Sequence, residues 1–302
     1  MQSRTVLLPS GANLSYCERA AVKYPRKPSP TAIFLHDYLG SEASWAQVLD
    51  HVGDSVRLLA LSLPGWGHSS KQGPYSISSY AETVVAVMDA LNVEHAFLVG
   101  HGMGALVALA VSASSPGRVH GLVLFSCAHV IDPDTVADPL GSTFRQIGEL
   151  WTDWVTDFPT DGVLPQAAHD FLTSFLLEPL KPFVESGKIK AEATEKVMAV
   201  ALQAEPQACR EAWASMINDD RREALSAISV PSQVVWGSAD SMAPRTEQQK
   251  LMEALHRSLP RSFVEVTNGP RNCIATHPRE CAKVISEFIG NISMMWHNGV
   301  FD

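Results

Sequence analysis

The sequence predicts an α/β protein: a mostly parallel sheet covered by helices on both faces, with a helical insert. Three observations carry that expectation. Short apolar runs such as Thr31–Leu35 and Ala96–Val99 alternate with segments of helical periodicity, and strands that are apolar on both faces belong in a sheet covered on both sides. In LVGHGMGA (98–105) three glycines, Gly100, Gly102 and Gly104, crowd one strand-to-helix junction, where a sharp turn has no room for side chains. The alternation breaks after Pro133 and returns near Ser229.

In chain order, residues 1–20 read as two strands around a turn at Ser10-Gly11. A buried strand follows over 31–37, a helix near Glu42–Asp50, a strand over 56–65 and an alanine-rich helix near Ser78–Leu91. The junction strand at 96–101 leads into a helix over 104–115, and GLVLFSC (121–127) closes that half. Beyond the break come a strand over 230–237, a helix near Thr246–Arg257, a strand over 262–266 and a helix over Pro278–Ile289. The expected division is a core of 1–133 and 229–302 and a helical cap of 134–228, with turns at Pro159, Gly162, Pro165, Pro179 and Pro182.

Composition narrows the function classes. The 302 residues are 46% apolar and 18% charged, ordinary for a soluble globular chain. A net charge of −9 without a Lys/Arg run gives no footprint for nucleic acid or an anionic membrane. No apolar run reaches the ~18–20 residues that span a bilayer, and the N-terminus lacks the apolar stretch of a signal peptide. Five scattered cysteines without a C-x-x-C suit free thiols and a cytoplasmic address. The histidines lack the spacing of a zinc motif, and no phosphate loop or dinucleotide fingerprint is present. The expected partner is a small molecule, with neither cofactor nor metal.

The glycine-rich junction matches the nucleophile elbow G-x-S-x-G, in which a strained turn lifts a serine above the sheet. Four other segments agree in order and spacing: FLHDYLGSEASW (34–45), LSLPGWGHSS (61–70), VVWGSADSMAP (234–244) and NGPRNCIATHP (268–278). Together they make the chain resemble the α/β-hydrolase superfamily, of the capped kind that includes epoxide hydrolases, haloalkane dehalogenases and carbon–carbon bond hydrolases. The resemblance covers most of the chain. It implies that Asp240 stands at the family's acid and that residues 34–45 carry half of an oxyanion hole.

The departures from the family's pattern bear on chemistry. Gly102 stands at the nucleophile position, Arg271 at the position of the catalytic His, and Asp37 where the family has glycine after His36; Ser62 replaces the usual Asp of the fourth-strand turn. An alternative alignment shifts His277 into the site. Acyl-enzyme hydrolysis needs a hydroxyl, an imidazole base and donors for the oxyanion, and a guanidinium cannot serve as the base. Asp37, Asp240 and Arg271 are therefore the candidate catalytic residues, and Tyr38, Gly102, Met103, Trp151 and Trp154 the candidate substrate-binding ones. The simplest structural arrangement pairs Arg271 with Asp240 and leaves Asp37 as a free acid or base. Cys127, at the end of the sixth strand, reads as a buried inert thiol.

The expected function is a non-hydrolytic enzyme (lyase, isomerase or cyclase) acting on a small, mostly apolar carbonyl compound. Asp37 would move a proton, while Arg271 and the Met103 N–H stabilise an oxyanion. The alternatives are a catalytically dead relative serving as a receptor or interaction protein, and a serine hydrolase with an engineered glycine at 102.

Overall fold

A computed structural model of the protein describes residues 1–22, 29–127, 177, 180–187, 189, 191–218, 221–240 and 242–300. Eight strands form one sheet in the order β1-β2-β4-β3-β5-β6-β7-β8. They are β1 (Gln2–Leu7), β2 (Asn13–Arg19), β3 (Thr31–Leu35), β4 (Arg57–Leu61), β5 (Ala96–His101), β6 (Val119–Phe125), β7 (Ser232–Gly237) and β8 (Arg261–Val266). Strand β2 pairs antiparallel with both β1 and β4, and every later pair is parallel.

Strands β3 to β6 are almost wholly buried because the sheet has two cores. One face packs Leu35, Leu61, Leu98 and Leu124 against α2 (Ile77–Ala90) and α3 (Met103–Ser114). The other packs Phe34, Ala60, Val99 and Phe125 against α1 (Ala46–Leu49) and the C-terminal helix. Side chains alternate between faces along a strand, so each strand needs apolar residues at every position. That is the near-continuous apolar run visible in the sequence.

Between β6 and β7 the described residues form four helices: α4 (Lys181–Glu185), α5 (Ala191–Ala201), α6 (Pro206–Asn218) and α7 (Arg222–Ala227). This is the later part of the expected cap; Trp151 and Trp154 lie outside the described residues. After β7 come α8 (Arg245–Ala254), α9 (Cys273–Thr276) and α10 (Pro278–His297). Among the described residues no helix is long and apolar enough to cross a membrane.

Among the boundaries that differ from expectation, such as the end of β4 at Leu61 rather than 65, two have a clear physical reason. Strand β3 stops at Leu35, so Asp37 stands on a loop closed by the Gly40 N–H donating to the Asp37 carbonyl (3.0 Å). Helix α10 continues through Gly290 to His297 because its buried stripe of Ile285, Phe288, Ile289 and Ile292 spans the glycine. Burying Ile292 outweighs the ~1 kcal/mol that a mid-helix glycine costs.

Candidate functional site

Strand β5 ends at His101, and Gly102 turns the chain into α3 with φ +51° and ψ −111°. That backbone conformation is the elbow's, and L side chains rarely adopt it. A Cβ on Gly104 would strike the backbone of β3 at Leu35 and of His36, so this glycine lets α3 pack against the neighbouring strand. At Gly102 the obstacle is different. A Cβ there would meet Asp37 Oδ1, Asp37 Cγ and Arg271 Nη2 inside 3.0 Å, closer than real Cβ contacts come.

Asp37 and Arg271 fill that space with one ion pair. Asp37 Oδ2 accepts from Arg271 Nε (2.9 Å) and Nη2 (2.8 Å), so one edge of the guanidinium converges on a single carboxylate oxygen. Asp37 Oδ1 accepts from the backbone N–H groups of Met103 and Tyr38, each at 2.8 Å. These are the amide after the elbow position and the amide of the loop after β3, the two donors that such a turn aims at an oxyanion. A carboxylate from the chain itself occupies them.

Burial works against ionising Asp37. The charge of Arg271 and the two N–H donors outweigh it and hold the carboxyl below its usual range. Burial likewise opposes the charge on Arg271, and Asp37 and Asp240 together overcome it and raise the guanidinium pKa. The Arg271 backbone is fixed as well. Its carbonyl accepts from His101 Nε2 (3.0 Å) and Ser126 Oγ (3.1 Å), with Ser126 itself at φ +48°. Burial depresses the pKa of His101, which is neutral and donates through Nε2.

The expected Arg271–Asp240 pair is therefore corrected: Arg271 binds Asp37, and among the described residues no ion pair joins it to Asp240. The reason is geometric. A turn after β7 folds the amides of Met242 (2.9 Å) and Ala243 (3.0 Å) onto Asp240 Oδ1, while the missing side chain at 102 lets Asp37 reach Arg271. Asp240 is 4% exposed and its Oδ2 has no hydrogen-bond partner among the described residues. Its charge reaches Arg271 through space.

Of the expected substrate-binding residues, Tyr38 and Met103 bring their amides rather than their side chains. The Tyr38 ring packs between Trp66 (5.2 Å) and Trp213 (5.3 Å), and its hydroxyl donates to the Cys209 carbonyl (2.8 Å), tying the β3 loop to α6. The Met103 side chain is buried. His277 opens α10, with Thr276 Oγ1 at 2.8 Å from its Nδ1 and the Phe183 ring edge-on. Arg271 is thus the residue placed at the elbow. Cys127 is fully buried, and burial pushes its thiol up to about 12, so it is inert.

Sequence reasoning missed two supports. Ser126 anchors the Arg271 carbonyl, and its only signal is its place at the end of β6. Glu42 is buried and bonded to Ser62 Oγ and Ser15 Oγ, which sets a carboxylate beside Ser62. Among the described residues no three His, Cys, Asp or Glu side chains come together as a metal-binding group.

His36 gives the site a pH dependence. It is fully buried, accepts at Nε2 from the Leu63 N–H (3.1 Å) and donates from Nδ1 to the Asp37 carbonyl (2.7 Å). Burial lowers its pKa to about 4. An unfolded His takes up a proton below ~6.5, whereas the native one does so only near 4, so the stability His36 confers is full above ~6.5. It is lost as pH falls towards 4, by on the order of 3 kcal/mol. Urea unfolding at pH 7.5, 6 and 5 should show this decline, and His36→Gln should flatten much of it. An unchanged slope in the variant would assign the decline to other groups.

The comparisons agree with this architecture. The α/β-hydrolase fold family model matches residues 30–273. The chain is 23% identical over 275 residues to the uncharacterized hydrolase YugF of Bacillus subtilis (strain 168), covering 89% of this chain and 91% of that one. It is 26% identical over 263 residues to a pimeloyl-[acyl-carrier protein] methyl ester esterase of Yersinia pseudotuberculosis serotype O:1b (strain IP 31758), covering 85% and 92%. A thermophilic esterase from Thermogutta terrifontis superposes with a TM-score of 0.75 at 17% identity, over 97% of this chain and 99% of that one. With its eight-stranded, mostly parallel sheet and a glycine elbow between β5 and α3, the chain belongs to the α/β-hydrolase fold family.

Proposed function

We propose that this chain is a member of its family that has given up acyl-enzyme hydrolysis and binds a small organic ligand instead. Gly102 and Arg271 are read as replacements of the nucleophile and the base. One observation carries the reading: Asp37 Oδ1 occupies the amides of both Met103 and Tyr38, so no donor of that pair is left for an oxyanion. The interlock also argues against an isolated laboratory exchange at position 102, because a side chain restored there would overlap the Asp37–Arg271 pair. The five free cysteines suit a cytoplasmic setting.

A second reading, a lyase, isomerase or cyclase acting on a carbonyl compound, is favoured by the accessibility of the pair. The side chains of Asp37 and Arg271 are 16% and 23% exposed, so a substrate can reach a carboxylate and a cation together. Removing Asp37 would then lower turnover by about 10²–10⁴, the usual loss for a general acid or base; in a receptor it changes binding alone. The relatives carry the names of a hydrolase and an esterase, so hydrolysis is the activity to exclude first. A fluorophosphonate probe should leave the native protein unlabelled, and aryl esters should turn over no faster than in buffer. Labelling of a serine near the elbow, or ester turnover abolished by His277→Ala, would overturn the proposal.

A further inference from the structure

Four donors converge on the Asp37 carboxylate from three separate places in the chain. Two are amides, one opening the twelve-residue helix α3 and one in the loop after β3; two belong to the edge of the Arg271 guanidinium. Each carboxylate oxygen receives two of them. A guanidinium edge converging on one oxygen, with two amides, one of them at a helix N-terminus, on the other, satisfies both oxygens of a carboxylate. The site is shown with a carboxylate in it. That carboxylate hangs from a loop rather than from a strand, and its side chain is 16% exposed, so the occupied cradle is open to solvent.

We propose that the cradle of Met103 N–H, Tyr38 N–H and Arg271 is a carboxylate-binding site whose resident occupant is Asp37, and that the carboxylate of a small organic acid takes its place. This rests on the ligand-binding reading above, since a hydrolase would need the same amides for its oxyanion. The donor set selects the chemical class. A neutral carbonyl would leave the charge of Arg271 without its bonded counter-ion. A phosphate brings further oxygens and further negative charge close to Asp240, whose carboxylate already acts on Arg271. One oxygen pair with one negative charge fits.

In the native chain an incoming acid competes with a tethered carboxylate at high effective concentration, so small probes bind weakly there. Removing the occupant exposes the site. Asp37→Ala is expected to bind acetate at least about tenfold more tightly than the native chain does, and about 100 mM acetate should raise its Tm where acetamide does not. Equal effects of acetate and acetamide, or no binding to the variant, would overturn the proposal. Where Asp37→Ala does not accumulate as folded protein, it is refolded from urea in acetate and in acetamide. Recovery in acetate alone supports the site, and equal recovery, or none in either, overturns it. Ester turnover by the native chain would defeat the ligand-binding reading whatever acetate does. Absent turnover with absent acetate binding would defeat the carboxylate site alone.

Discussion

Gly102→Ser on its own is expected to give a destabilised protein that neither hydrolyses esters nor takes up a fluorophosphonate, whereas Asp37→Gly, Gly102→Ser and Arg271→His together should yield an esterase. The single change places a side chain at φ +51° and ψ −111°, a sparsely populated conformation costing about 1–3 kcal/mol for an L residue. Its Cβ also lands on the carboxylate of Asp37 and on Arg271 Nη2, so the ion pair must part or shift. Disrupting a buried pair costs roughly 3–5 kcal/mol, an upper bound for this partly exposed one, and even part of that is a large share of the ~5–15 kcal/mol by which a domain is stable. The triple variant meets none of these obstacles except the backbone conformation. It frees the amides of Tyr38 and Met103, and it sets an imidazole where His101 and Ser126 already hold the main-chain carbonyl. Asp240 remains in place, its Oδ1 held by Met242 and Ala243 and its Oδ2 without a partner among the described residues. Turnover of p-nitrophenyl acetate at least ~10²-fold above the native chain is the expected gain, since one oxyanion donor alone is commonly worth 10²–10³. Unimpaired stability of Gly102→Ser, together with labelling of the new serine, would show that the pair does not obstruct this position.

The sheet and the elbow were legible because they depend on local features that a sequence displays. Continuous apolar runs specify strands buried on both faces, and glycines specify places where backbone approaches backbone, as Gly104 does against Leu35 and His36. Ending α10 near Gly290 was a misreading of the same kind of signal, since one glycine does not outweigh a buried stripe that continues on both sides of it. The candidate site was half legible. Positions 37, 102 and 271 could be singled out as departures from one pattern, and they meet in space. The partner of Arg271 could not be read, because it depends on which carboxylate is already engaged. The turn that gives Asp240 its two amides, and the gap over Gly102 that admits Asp37, are facts of three dimensions. The absence of a side chain is informative only once its neighbours are known. The cap aromatics Trp151 and Trp154 lie outside the described residues.

The two halves of the ion pair should differ sharply in what their loss does. Arg271→Met leaves the partly exposed Asp37 and the buried Asp240 without the cation that faces both, and is expected to lose up to roughly 3–5 kcal/mol at pH 8. Asp37→Ala leaves Arg271 with the charge of Asp240 still acting on it, so its loss should be smaller. The double variant, with neither charge, should recover much of what Arg271→Met loses, because the penalty lies in the unpaired ion rather than in the missing bond. The sign of the pH dependence separates this account from a simple packing defect. In the native chain the pKa of Asp37 is held below its unfolded value near 3.9. Its contribution is therefore present above that pH and lost as pH falls through the folded pKa. Without Arg271, burial dominates and lifts the folded pKa above the unfolded one. The variant's deficit is then full at high pH and shrinks as acid protonates the carboxyl. Urea unfolding at pH 8 and pH 5 should thus show the gap between native chain and Arg271→Met narrowing at the lower pH. A gap that stays constant, with no recovery in the double variant, would mean that Arg271 is held for its bulk and not for the charge it brings to Asp37.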